Sequence, residues 1–330
     1  MNTYPWQEEQ WQHLQLRLKE NRLPHALLFS GPQGLGKTHF ASVFAKSLLC
    51  NAVAADGRPC GTCNSCLWLA SGSHPDALWI TLEEGAKAIN VNQIRDTARF
   101  LSLKSQQGRY KVIVISPADQ MNVNAFNSLL KTLEEPTENA IIILVCHQIA
   151  SLPATIRSRC QKLEFVYPKR EVSLAWLRSQ IDQVETADTL LCVAKGAPLH
   201  ALEMAKSDAM SQRSAFFEDV FNLAKGLDHP ISVSEKWVKQ DIKQNLSWFH
   251  DALADMIKLT MSDKSAFIAH ADYTEAMQNQ TRGLNLNALY RCYERVSDAQ
   301  RQLKANMNPQ LLAESILIPW TEMNKGNTVR

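Results

Sequence analysis

No apolar run in this sequence approaches the roughly 20 residues that a membrane-spanning helix requires. The longest, Ala140–Cys146, is the size of a strand, so no membrane contact is expected. The first residues, Met1-Asn-Thr-Tyr-Pro-Trp6, carry no basic cluster followed by an apolar stretch. A signal peptide is therefore not expected, and the expected compartment is the cytoplasm. Excess charge is lacking as well: 35 Lys and Arg against 33 Asp and Glu leave a formal net charge of +2. Proteins that coat DNA unaided usually show a strongly basic patch or stripe, so any nucleic-acid contact here is expected to be shared with partners. Internal repeats and low-complexity linkers are absent, which excludes a repeat array. What remains is an ordinary 330-residue chain, 45% hydrophobic, long enough to bury a sizeable core in two or three domains.

The most informative stretch is Gly31-Pro-Gln-Gly34-Leu-Gly36-Lys37-Thr38, preceded by the apolar run Ala26–Phe29 and followed by a helical pattern from Phe40 to Leu49. This is a complete P-loop in its setting of strand, glycine loop and helix start. The glycines let successive backbone N–H groups turn toward an anion at the positive end of the helix. Lys37 would add a point charge on the β- and γ-phosphates, and Thr38 a hydroxyl for Mg²⁺.

Eight cysteines divide into a scattered set (Cys146, Cys160, Cys192, Cys292) and a clustered one, Cys50 followed by Cys60-Gly-Thr-Cys63-Asn-Ser-Cys66. Two-residue gaps fold the chain into a small knuckle with several sulfurs facing one centre. Four thiolates complete the shell of a structural Zn²⁺ with no open position for catalysis. Disulfide pairing is the rival, disfavoured in reducing cytosol. Cys50 is the least secured of the four ligands, since core packing at a helix end also accounts for it.

Beyond the cysteines, Ala77–Ile80, Lys111–Ile115, Ile141–Val145 and Lys162–Val166 read as strands, the last three as buried ones. Helical patterns run over Ile94–Leu103 and through Val123, Phe126, Leu129, Leu130 and Leu133, with Pro136 as the stop. Strands alternating with helices predict an α/β domain of about 165 residues around a mostly parallel sheet. After Tyr167-Pro168 the pattern turns helical. Leu289, Tyr293, Val296 and Leu303 mark a long amphipathic helix that Asn308-Pro309 ends, and Gln310–Ile318 begins another.

A working P-loop ATPase also needs an apolar strand ending in Asp-Glu, for the cation and the attacking water. The strand is here, but Ser116 and Pro117 follow it. Asp119 lies too far on to replace them without placing Pro117 inside a buried strand. The sequence thus describes a phosphate cradle stripped of its acids, more in keeping with a passive member of an ATP-driven assembly than with a motor.

Several stretches resemble the AAA+ clamp-loader subunits of bacterial DNA polymerase III. They are Tyr4-Pro-Trp6, His25-Ala-Leu-Leu28, the cysteine knuckle, His74-Pro-Asp76, Asn127-Ser-Leu-Leu-Lys-Thr-Leu-Glu-Glu-Pro136 and Ser158-Arg159-Cys160. The resemblance is dense over residues 4–166 and thin beyond. It implies a RecA-like AAA+ nucleotide-binding domain with a four-cysteine zinc module (1–166), a small helical lid (167–209) and an all-helical collar for oligomerisation (210–330). Implied partners are the delta and gamma/tau subunits in a five-membered ring, which loads the β sliding clamp onto primed DNA. The family's lid pattern Gly-x-x-Arg is matched by Gly196-Ala-Pro-Leu199-His200, without the arginine, and the polar sensor after the fourth strand by Cys146 or His147. The expected function is that of a non-hydrolysing subunit able to hold ATP or ADP without turnover. Arg159 is expected to serve a neighbour's site as an arginine finger, unless Arg157 and Arg159 merely cap local carbonyls. Two other classes stay open: an autonomous ATPase using Asp119 or Glu134, and a zinc-dependent nucleic-acid-binding module with Arg95, Arg99 and Lys104 as a basic helical face.

Overall fold

The computed structural model describes residues 2–107, 109–261, 267–282, 284–305 and 307–325. It divides into two compact units, Met1–Trp176 with Ala197–His200, and Leu177–Gly196 with Ala201–Arg330. The first holds α1 (Glu8–Lys19), β1 (Ala26–Ser30), α2 (Lys37–Leu49), α3 (Asn64–Ser71), β2 (Ala77–Ile80), α4 (Val91–Ser102) and β3 (Lys111–Ile115). It continues with α5 (Val123–Glu134), β4 (Ala140–Cys146), α6 (Ala154–Arg157) and β5 (Gln161–Glu164).

The five strands form one parallel sheet in the order β2-β3-β4-β1-β5. Every residue of β1, β3 and β4 is buried, as continuous β-branched and leucine-rich runs require when helices cover both faces. Alternation sorts their side chains. Leu28, Ile113, Ile115, Ile142 and Leu144 face a core completed by Ile94 and Leu101 of α4 and Ala125, Phe126 and Leu129 of α5. Leu27, Phe29, Val112, Val114, Ile143 and Val145 face the other side, against Trp11 and Leu14 of α1 and Phe40, Val43 and Phe44 of α2. The helices start where side chains satisfy their first amides. Asn90 and Gln93 exchange a reciprocal capping box at α4, and Asn122 Oδ1 accepts from Ala125 N at α5 (2.9 Å).

The last strand departs from expectation. It covers Gln161–Glu164 rather than Lys162–Val166, and three of its four residues are exposed. It pairs only with β1, so as an edge strand it needs no second apolar face, and buried Phe165 already lies beyond it.

His74-Pro-Asp76 holds the cysteine segment and a loop to β2. The fully buried Asp76 carboxylate accepts from the amides of Gln106 (2.9 Å) and Gln107 (2.7 Å) and from Ser105 Oγ (3.0 Å). His74 Nδ1 accepts from Asp76 N (3.0 Å), which leaves Nε2 as the N–H that meets Ser65 Oγ of α3 at 3.1 Å.

From residue 170 onward the chain is helical: α7 (Arg170–Arg178), α8 (Ala187–Val193), α9 (Pro198–Ala205), α10 (Ala209–Lys225), α11 (Pro230–Lys239), α12 (Ile242–Thr260), α13 (Thr274–Thr281), α14 (Leu286–Lys304) and α15 (Pro309–Lys325). The second unit's core is aromatic, built on Phe216, Phe217, Trp237, Trp248, Phe249 and Trp320. Leu289 and Val296 are the buried stripe of α14. Two of the indole N–H groups find acceptors: Trp320 bonds Val220 O (3.0 Å), and Trp237 bonds Asp219 (3.1 Å). Arg213, 1% exposed, is neutralised by a two-pronged pair with Asp272 (2.9 and 2.5 Å).

Asp76→Ala removes a fully buried acceptor of hydrogen bonds from Ser105, Gln106 and Gln107 and should cost about 3 kcal/mol, since a hydrogen bond to a charged group contributes about 1.5–3 kcal/mol and water can replace part of the loss at these exposed donors. Urea unfolding followed by tryptophan fluorescence measures it. A loss under about 0.5 kcal/mol, the range of an ordinary surface change, would show that these bonds do not hold the loop.

Candidate functional site

The P-loop leaves the C-terminal end of β1, the edge at which open parallel sheets bind ligands. Its glycines are required by packing as well as by dihedral angle. A Cβ on Gly31 (φ 149°) would fall 2.0 Å from the carbonyl oxygen of Phe165, and one on Gly36 (φ 78°) 2.6 Å from the Tyr4 ring. Gly36 is also the N-cap of α2, so the loop's amides precede the positive end of a thirteen-residue helix. The loop is tied on two further sides. Leu35 O accepts from Trp6 Nε1 (3.1 Å) and Gln7 Nε2 (2.8 Å), and Gly34 O accepts from Leu199 N (3.2 Å). Tyr4 stacks on Trp6 with centroids 5.0 Å apart, and Trp176 meets both rings edge-on.

Lys37 is buried, with its ammonium on Pro32 O at 2.5 Å. Burial lowers its pKa to about 8, against the opposing pull of the Asp119 carboxylate. Thr38 Oγ1 meets Ser116 Oγ at 2.9 Å. Ser116, the first residue past β3, thus faces the loop hydroxyl where a P-loop ATPase has its carboxylate. Asp119 is engaged elsewhere: Oδ1 accepts from His147 N (3.0 Å) and Oδ2 from Gln148 N (3.2 Å), capping the end of β4. Cys146 is fully buried, and burial pushes its thiol up to about 12. Burial, then Lys37, lowers the pKa of His147. Such an arrangement can hold an anion, but it offers no carboxylate to a water or a cation at the end of β3.

The second constellation is the cysteine set, which runs from Cys50 at the end of α2 to Cys66 in the first turn of α3. The four Sγ atoms of Cys50, Cys60, Cys63 and Cys66 all lie within 4.8 Å of one another, close enough to hold one metal ion. Cys50 is at 3.6 Å from Cys60 and 3.9 Å from Cys63, and Cys60 at 4.0 Å from Cys66. Amides aim at the sulfurs: Cys60 N at Cys50 Sγ (3.3 Å) and Cys63 N at Cys60 Sγ (3.4 Å). The amides of Thr62 and Cys63 lower the Cys60 thiol to about 6, whereas burial raises Cys66 to about 12.

Arg159 follows α6, and its side-chain bonds go to neither constellation. Its Nη2 pairs with Glu134 at 2.5 Å and its Nη1 donates to Thr155 O at 3.0 Å. The Glu134 pairing went unforeseen because nothing local links the end of α5 to a turn before β5. Ser116 was legible as a missing acid, but not as the partner of Thr38. Of the basic residues singled out, Arg95 and Arg99 are exposed on α4, whereas Lys104 lies past the helix's end at Ser102.

A family model described as DNA polymerase III, delta subunit matches residues 6–169, and one described as DNA polymerase III, delta subunit, C terminal matches residues 207–322. The chain is 33% identical to DNA polymerase III subunit delta' of Pseudomonas aeruginosa, over 98% of each chain. It is 30% identical to the subunit delta' of Yersinia pestis, over 99% of this chain and 98% of that one. With the subunit delta' of Haemophilus influenzae it shares 32% identity over 77% of each. Two model matches on either side of the helical turn at residue 170, and full-length identity of this size, establish that the chain belongs to the DNA polymerase III subunit delta' family.

Proposed function

We propose that the chain is a non-hydrolysing subunit of a DNA polymerase III clamp loader, able to hold ATP or ADP without turnover. One observation carries this most directly: the hydroxyl of Ser116 faces Thr38 where hydrolysis needs a carboxylate, and both oxygens of Asp119 accept from backbone amides. The absence of an arginine from Gly196–His200 and the neutral, buried Cys146 support the same conclusion. An autonomous ATPase would need Asp119 or Glu134 in the missing role, and Glu134 is paired with Arg159. In this proposal residues 1–166 are an AAA+ nucleotide domain, 167–209 its lid and 210–330 a collar. The partners are delta and gamma/tau in a five-membered ring that loads the β clamp onto primed DNA in the cytoplasm.

The cysteine knuckle is proposed to carry one structural Zn²⁺. Four sulfurs at about 2.3 Å from a tetrahedral Zn²⁺ lie about 3.8 Å apart. Three of the sulfur–sulfur spacings, at 3.6–4.0 Å, suit that geometry and are far from the roughly 2.05 Å of a disulfide, and all lie within 4.8 Å. The knuckle is too small for a core of its own, so metal binding would supply much of its folding energy. Arg159 is proposed as the arginine finger offered to a neighbouring ATPase subunit.

Three measurements test these assignments. Protein purified without chelators should contain one zinc per chain, and its four clustered thiols should resist alkylation until a chelator is added; protein free of zinc with rapidly alkylated thiols would refute the metal assignment. The isolated chain should hydrolyse ATP no faster than a blank, since losing even one preorganised electrostatic element costs about 10²–10³ in rate. Robust turnover that Lys37→Ala abolishes would instead make this an ATPase. In a reconstituted clamp loader Arg159→Ala should reduce DNA-stimulated ATP hydrolysis. A finger contributes about 10³ or more at the site it serves, although other sites dilute the total loss. Arg159→Lys should not restore it, because an ammonium lacks the planar fork. Hydrolysis unchanged by either substitution would make Arg159 structural.

A further inference from the structure

P-loop proteins hold their divalent cation between the loop Ser or Thr, a carboxylate near the end of a neighbouring strand, and the phosphates themselves. Mg²⁺ is demanding in this respect: it wants oxygen ligands in near-octahedral geometry and is usually fixed through one or two carboxylates. In this chain the loop hydroxyl of Thr38 is hydrogen-bonded to the hydroxyl of Ser116 at 2.9 Å, so both groups at the cation position are neutral. The carboxylate whose charge acts on Lys37 is that of Asp119, and each of its oxygens already accepts an amide at the end of β4. One accepted amide leaves each Asp119 oxygen a lone pair, but that carboxylate is held on the amides after β4, so the residues beside the phosphate loop offer Mg²⁺ two neutral hydroxyls and no uncommitted carboxylate, a poor fit.

We infer that the cradle takes a nucleoside diphosphate without a divalent cation. This deepens the proposed nucleotide-holding role and rests on it. The loop amides, the start of α2 and Lys37 are a set of donors suited to a diphosphate, whose total charge is lower than a triphosphate's. A third phosphate adds negative charge that Mg²⁺ and an arginine ordinarily neutralise. Here that charge would meet the neutral thiol of Cys146 and the nearby Asp119 carboxylate, with no arginine in Gly196–His200 to offset them. A triphosphate thus gains nothing over a diphosphate.

The test is calorimetric titration of the full chain with ADP and with ATP, each in buffer containing excess Mg²⁺ and in buffer from which Mg²⁺ is omitted. Omission rather than chelation leaves any metal in the cysteine knuckle untouched. ADP affinity should differ by less than about threefold between the two buffers, under 1 kcal/mol, and ATP should bind no more tightly than ADP in either. Ser116→Asp should bring a preference for Mg²⁺ of about tenfold or more, by restoring a carboxylate beside Thr38. Tenfold tighter binding of either nucleotide to the unsubstituted chain in Mg²⁺ would overturn the inference and leave the nucleotide-holding role standing. Failure of both nucleotides to bind in both buffers would overturn the two together. If Ser116→Asp does not fold, the titrations of the unsubstituted chain still decide.

Discussion

The tight contact of the phosphate loop with its own unit conditions everything around it. Backbone from beyond β5 presses on Gly31, the Tyr4 ring on Gly36, and two side chains of the N-terminal segment converge on the carbonyl of Leu35. No larger residue fits at either glycine without moving a backbone or an aromatic stack. The loop's shape is thus secured by packing and needs no ligand to hold it open. An intact phosphate loop beside dismantled acids is then not a contradiction: in this chain the loop also joins β1, β5 and the first residues into one body.

The same packing sets the electrostatics. Strand β4 lies between β1 and β3, yet Thr38 and Ser116 meet over its end, where Asp119 caps the amides that follow it. Lys37 is left as a buried cation on a carbonyl, its pKa lowered by desolvation. Keeping that ammonium charged out of water costs free energy, and a phosphate in the loop would return part of it. In the role proposed, affinity for an anion and the lack of turnover would come from one arrangement: the positive groups of the site persist, while its negative groups are replaced or turned to structural use.

How much of this could be read from the chain depends on how local the cause is. The runs that became β1, β3 and β4 were legible because burial on both faces leaves no polar position in the pattern. Gln161–Glu164 was misjudged because an edge strand tolerates polarity, and the apolar Phe165 and Val166 drew the expected strand past its real end. Cys60, Cys63 and Cys66 were legible from their spacing. That Cys50 joins the cluster depends on the end of α2, which brings its sulfur to 3.6 Å from Cys60. His74-Pro-Asp76 could be quoted as a motif, but its work depends on the Ser105 hydroxyl and the amides of Gln106 and Gln107, some thirty residues away, which no local pattern reveals. Sequence likewise showed that an acid was missing after β3, but not that Ser116 would reach Thr38.

The pairing of Arg159 with Glu134 bears on how an arginine can be kept ready for another subunit. A finger must be held in place without being used up. Two of its donors engage Glu134 and Thr155 O, and a guanidinium carries five, so part of the planar fork stays unclaimed by these bonds. Both side chains are well exposed, at 36% for Arg159 and 49% for Glu134, and a pair so solvated is worth at most about 1 kcal/mol. Charge-assisted bonds to a phosphate in a drier interface are stronger than that. For the role proposed here, the resting ion pair can orient the guanidinium and still yield it, because the contact that holds it is weaker than the one it would make.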